Sequence, residues 1–173
     1  MLTLVLLSKI FSGMKNMKKL AIALLVVVFS GCAAIEKKSD DEIYQAAIDA
    51  VTMDSGKVKP KALGYKISSS GMVSDQIVIG AGGGRIVTGL RDAFIFLRKT
   101  PNSFLVIMGE NPSLDYAMIS NAVKDLDLSG AHIVYSGLDA KQTQIAKVIK
   151  KTGALYYFID KQKQRFKINF VLT

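Results

Sequence analysis

Three short, continuous apolar runs punctuate the second half of the chain: Phe104–Met108 (FLVIM), Ala131–Tyr135 (AHIVY) and Leu155–Ile159 (LYYFI). Runs of this length bounded by turn residues read as strands, and FLVIM as one buried on both faces. The stretches between them change period. Leu114, Met118, Ile119, Ala122, Val123 and Leu126 share one helical face behind Asn111, a capping residue, and Pro112, whose missing amide costs nothing at the first helical position. Gly130 breaks that helix. Asp139 then predicts a cap, Ile145, Val148 and Ile149 an apolar stripe, and Gly153 a helix end. Ahead of the first strand, Leu90, Ala93, Phe94 and Leu97 line a helix that Thr100-Pro101-Asn102 stops. Beyond the third, Phe166, Ile168, Phe170 and Leu172 alternate with Arg165, Lys167 and Asn169, as in a half-covered antiparallel edge strand. Strands alternating with helices through short connections predict parallel pairing and right-handed crossovers. The expected fold is α/β: a small, mostly parallel β-α-β-α-β sheet over residues 71–173, with helices packed on it and a C-terminal antiparallel edge strand.

Residues 39–70 read as an N-terminal helix and a linker. Ser39 and Glu42 have capping-box spacing, and Ile43, Ala47, Ala50 and Val51 fall on one face of a helix ending near Met53. Asp54–Ser70 shifts in composition to Gly56, Pro60, Gly64, three consecutive serines and lysines at 57, 59, 61 and 66, which predicts an irregular, solvated segment. Gln76–Gly89 (QIVIGAGGGRIVTG) is richest in glycine. The Rossmann fingerprint fails at its last position, Arg85, Asp92 sits too near for a ribose contact, and no Gly-Lys-Ser/Thr ending makes a phosphate loop. A hairpin with QIVI and RIVT as arms and Gly80–Gly84 as its turn accounts for the same letters.

The start of the chain is organised differently. Lys15, Lys18 and Lys19 precede a ten-residue apolar run, Leu20–Phe29, and the small residues Ser30 and Gly31, the three parts of a secretory signal over residues 1–31. Only 16 uncharged residues separate Lys19 from Glu36, short of the roughly 17–25 apolar residues of a membrane span. Met1–Gly13 is a second apolar patch that a signal does not need, so Met14 or Met17 is the expected start. Removal of the signal leaves 142 residues, enough for one domain with a core. Four of the 23 basic residues lie ahead of Cys32, which leaves 19 against 14 acidic ones, a net charge of +5. Cys32 is the sole cysteine, so stability must come from the apolar half of the composition and not from a disulfide.

Candidate chemistry is sparse. Ligands of parallel sheets bind beyond the carboxyl ends of the strands. Glu110, Asp139 and Asp160 fall there, a trio that could hold a metal or move protons, but nothing couples them to a nucleophile or a histidine and helix capping already accounts for Asp139. The only histidine, His132, lies inside a strand and reads as packed. Lys141–Lys167 carries eight basic residues against one acidic, with Tyr156, Tyr157, Phe158 and Phe166 interleaved. Behind an export signal this suits an acidic partner or anionic lipid better than nucleic acid. No catalytic residue, cofactor or metal is expected, and the chain is not read as an enzyme.

Phe29-Ser30-Gly31-Cys32 resembles the lipobox of bacterial lipoproteins, with Phe29, Ser30 and Gly31 as signal-peptidase recognition residues. The resemblance implies that Cys32 is lipidated and becomes the first mature residue, that residues 32–38 are a tether, and that Ala33 and Ala34, where aspartate would signal retention, direct the anchor to the periplasmic face of the outer membrane. Phe104–Ser136 resembles the strand–helix–strand block of the Cag pathogenicity island lipoprotein family of type IV secretion and conjugation systems. That implies a structural subunit of an outer-membrane core complex, an oligomer whose partners are the membrane, through the lipid on Cys32, and other envelope subunits. Two alternatives share the signal: an entry-exclusion lipoprotein of a conjugative element, and a periplasmic ligand- or peptidoglycan-binding lipoprotein.

Overall fold

The computed structural model describes residues 36–56 and 60–162. Residues 1–35, with Cys32 and the expected signal, residues 57–59 and the alternating segment Arg165–Leu172 lie outside the described residues, so the expected antiparallel edge strand does too. The folded unit begins at Glu36. Its order is α1 (Asp40–Ser55), β1 (Lys61–Ile67), α2 (Met72–Gly80), α3 (Gly84–Lys99), β2 (Ser103–Gly109), α4 (Pro112–Ala122), β3 (His132–Gly137), a 3₁₀ turn (Asp139–Lys141), α5 (Gln142–Lys150) and β4 (Leu155–Asp160).

The four strands form one parallel sheet in the order β1-β2-β3-β4. Each strand is displaced from the last in the same direction, so crossovers of one hand put every connecting helix on one face. Leu105, Ile107, Ile133 and Tyr135 meet that layer, packed with Leu90, Phe94 and Leu97 of α3, Leu114, Met118 and Ile119 of α4, and Ile145 and Ile149 of α5. The opposite face would be bare without α1, whose Ile43, Ala47 and Val51 cover Phe104, Val106, Met108, Val134 and Ile159. This is why β2 reads as an unbroken apolar run: both of its faces are covered.

The helix ends follow their sequence signals. Ser39 Oγ accepts from the Glu42 amide at 3.3 Å while the Glu42 carboxylate accepts from the Ser39 amide at 2.7 Å, closing the capping box of α1. Asn111 Oδ1 accepts from the Ser113 amide at 3.0 Å, with Pro112 at the first position of α4. At the other end of α4, Arg91 donates to the carbonyls of Ala122 and Lys124, at 3.1 and 2.7 Å. That helix therefore stops before Leu126, the last residue of its predicted stripe. Asp139 opens the 3₁₀ turn and makes no side-chain cap.

Two expectations are corrected. The segment Asp54–Ser70 contains β1, which pairs with β2 from Lys61↔Ser103 to Ile67↔Gly109. Only Ile67 of β1 is buried, so an edge strand here has the composition of a solvated loop. The Gly-rich stretch is a helix–turn–helix and not a hairpin: QIVI lies in α2 and RIVT in α3. Gly82, Gly83 and Gly84 take φ of +76°, +84° and +43° between them. Glycine occupies that region at no steric cost. A Cβ on Gly83 would also overlap the Met118 and Val87 side chains, so the turn closes tightly onto α4.

Candidate functional site

β2 and β3 each end in glycine, Gly109 and Gly137, one residue beyond the paired Met108 and Ser136. A Cβ on Gly109 would overlap the Asp115 carboxylate, and one on Gly137 the Tyr135 hydroxyl. The two glycines thus leave a slot at the carboxyl edge of the sheet, beneath the first turn of α4, and Asp115 and Tyr135 fill it. Both are fully buried, and the Tyr135 hydroxyl donates to Asp115 Oδ2 at 2.8 Å. Burial pushes the Asp115 carboxyl up to about 7, against the opposing pull of the Tyr135 hydroxyl, the amides of Glu110 and Asn111 and the Lys161 ammonium. Burial and the neighbouring Asp115 raise the Tyr135 phenol.

A polar chain runs across the same edge from β4 to α2. The buried Lys161 donates from Nζ to the Gly109 carbonyl at 3.1 Å and stands 4.0 Å from Glu110 Oε1. Glu110 accepts from the Ser69 amide at 3.1 Å and lies 4.0 Å from Lys66 Nζ, which is 3.6 Å from Asp40. Ser69 Oγ donates to Asp75 at 2.6 Å, and Asp75 also accepts from the Ser70 amide at 3.0 Å and from Asn111 Nδ2 at 2.7 Å. The Ser69 hydroxyl, then Asn111 and the Ser70 amide, hold the buried Asp75 carboxyl below the usual range despite desolvation.

The three carboxylates at the strand ends do not form one cluster. Glu110 faces lysines, Asp160 turns its side chain to the Gln162 amide at 2.9 Å, and Asp139 is exposed on the 3₁₀ turn. Among the described residues no group of three His, Cys, Asp or Glu is placed to hold a metal. Nor is any described helix long and apolar enough to cross a membrane.

At the amino edge, His132 is buried and stacked on Tyr157, with ring centroids 5.8 Å apart. The Tyr157 hydroxyl donates to Asp54 at 2.5 Å, so its oxygen receives the Nδ1–H of His132 at 2.8 Å. A cleft of about 340 Å³ opens beside it, lined by Arg98, Asn102, Ser103, Ser129 and His132. Sequence reasoning placed His132 as packed, and so it lies. It did not single out Asp75, Asp115, Tyr135 or Lys161. For Asp115 and Tyr135 the legible signal was the glycine that ends two neighbouring strands, because a missing side chain on a helix-covered face makes room for a polar group.

The carboxyl-edge network can hold a proton at Asp115 and ties α2, α4 and the end of β4 together. No protein-family model matches the chain, and comparisons with curated proteins and with solved structures give no match.

Proposed function

We propose that this chain is a lipid-anchored envelope protein, tethered through Cys32 to the periplasmic face of the outer membrane, whose α/β domain is a non-catalytic structural subunit of a secretion or conjugation core complex. The observation that carries the reading is the lipobox-like Phe29-Ser30-Gly31-Cys32 standing four residues ahead of the folded unit at Glu36. A tether that short holds a domain close to its membrane and leaves it little independent reach. Apart from Asp115 Oδ1 and Ser136 Oγ, which are buried without a hydrogen-bond partner, the polar groups of the carboxyl edge named above are engaged with one another, which suits a structural body.

An assembly role also draws support from the side of the domain. Among the described residues β1 pairs only with β2, so its outer edge is open. Beside it runs a groove of about 450 Å³ lined by Ala62, Leu63, Ala93 and Phe96, with Phe96 54% exposed. An open strand edge next to apolar surface is a site where another chain adds.

Cys32→Ser is the direct test. The parent chain is expected to carry acyl groups in the intact mass of its N-terminal peptide, to fractionate with the outer membrane, and to copurify with a large ring. The variant should stay uncleaved or leave the membrane. Normal fractionation of the variant overturns the anchor. A parent chain that remains monomeric in mild detergent, while the channel assembles without it, overturns the subunit role.

A further inference from the structure

Helix α2 has two faces of different character. Its inner face carries Asp75, bonded to Ser69, Ser70 and Asn111 just beyond the ends of β1 and β2, together with the half-buried Val78 and Ile79. Its outer face carries Met72, Val73, Gln76 and Ile77, positions i, i+1, i+4 and i+5 of one helical stripe, and no charged residue. Met72 is 80% exposed, Val73 76% and Ile77 67%, three adjacent large apolar side chains left in water. Scattered exposed apolar residues need no explanation, but three on one turn-and-a-half of helix leave a face without a partner among the described residues.

The position of the tether says what covers it. Lys37 bridges to Gln162, the Lys38 amide donates to the Lys161 carbonyl at 2.9 Å, and Lys38 Nζ donates to the Asp160 carbonyl at 2.7 Å. The chain arriving from Cys32 therefore enters the domain at the carboxyl edge of the sheet. The polar chain Lys161–Glu110–Ser69–Asp75 leads from that point to the inner face of α2, so tether and helix occupy the same edge. Cys32 is five residues from Lys37, a reach of at most about 18 Å. The sheet is four strands wide, roughly 14 Å between its outer strands. An anchor at Cys32 would thus attach within about 18 Å of the point where the chain enters the carboxyl edge.

We propose that α2 is a second membrane contact, laying Met72, Val73 and Ile77 into the headgroup–acyl boundary beside the lipid on Cys32. This rests on the lipidation of Cys32 proposed above. Exposed apolar side chains are stabilised by entering that boundary in proportion to the area they remove from water. Two weak attachments on one chain act together, because the first holds the second at high local concentration. The domain is then fixed in orientation, carboxyl edge down.

The chain contains no tryptophan, so one can be introduced as a sole reporter. Ile77→Trp is compared with Leu155→Trp, which is 44% exposed at the start of β4 on the opposite edge. Each full-length chain is purified with its anchor, its acylation read from intact mass, and reconstituted into phosphatidylethanolamine–phosphatidylglycerol vesicles with or without brominated acyl chains. The Ile77→Trp reporter should shift its emission to the blue and lose more than half its intensity to brominated lipid, while the Leu155→Trp reporter does neither. Equal, weak quenching of both in an acylated chain overturns the α2 contact and leaves the anchor standing. A blue shift without bromolipid quenching overturns it in favour of a second protein copy on this face. A chain without acyl groups overturns the anchor itself, and this inference with it.

Discussion

A carboxyl group with no solvent contact and a single hydroxyl donor, as Asp115 has, must either keep its proton or carry a buried charge. Its pKa of about 7, against 3.8 in an unfolded chain, means that the native state holds a proton between pH 4 and 7 that the unfolded state has released. Stability from this group is therefore complete below the unfolded value, declines as pH rises toward 7, and is flat above it, a total of roughly 4 kcal/mol. Asp115→Asn keeps the shape and an oxygen to accept from Tyr135. Urea denaturation should find the variant about 2–3 kcal/mol more stable than the parent at pH 8, close to it at pH 5, and nearly without slope between. A parent chain whose stability does not fall from pH 5 to pH 8 would mean that Asp115 ionises in the native state without penalty. Sequence periodicity did not expose this residue, because a polar group at a buried helix position is indistinguishable from surface decoration until the paired Gly109 and Gly137 are seen beneath it.

At the scale of elements, what was legible depended on whether an element is buried on one side, both or neither. β2 and β3 are apolar runs because covered strands need them, and α3, α4 and α5 show their stripes because each buries one face; the run of β4 was read correctly although only its Ile159 is buried. β1 was hidden because its one buried residue, Ile67, stands at the end of a strand broken by Lys61, Gly64 and Lys66, which leaves no apolar run to show. The Gly-rich stretch misled for a different reason. Ile77, Val78 and Ile79 have strand propensity, but Val78 and Ile79 pack with the helices on the sheet, and that tertiary placement outweighs a propensity difference of about 1 kcal/mol or less. What the three glycines encode is the close turn onto α4. Gly82→Ala meets no neighbour and should lose only the cost of a left-handed backbone, about 1–2 kcal/mol. Gly83→Ala adds overlap with Met118 and Val87 and should lose about 2–4 kcal/mol, with the denaturant slope unchanged. Equal losses at the two positions would show that the approach of the turn to Met118 contributes nothing.

For the molecule as a whole, the direction of the sheet limits how copies can associate. If every copy is tethered at the carboxyl edge of its sheet, every copy on one membrane points its strands the same way. Joining two β1 edges in a regular antiparallel ladder reverses one sheet and lifts its tether from the membrane, so a twofold pair through β1 is incompatible with a common anchor plane. The contact that remains is heterologous, β1 and its groove against a different side of the next copy or of another subunit, the geometry that closes into rings. Phe96 is the residue to test this, since it is exposed beside β1 and lies on α3 away from the carboxyl-edge network. Phe96→Glu places a charge in that groove without touching the core, so the melting temperature should stay within about 2 °C of the parent. Chemical crosslinking in native membranes should then find the variant acylated and membrane-bound but absent from the high-mass complex. A complex that forms with Phe96→Glu at parental yield would place the contact on some other face and leave the β1 groove without a role in assembly.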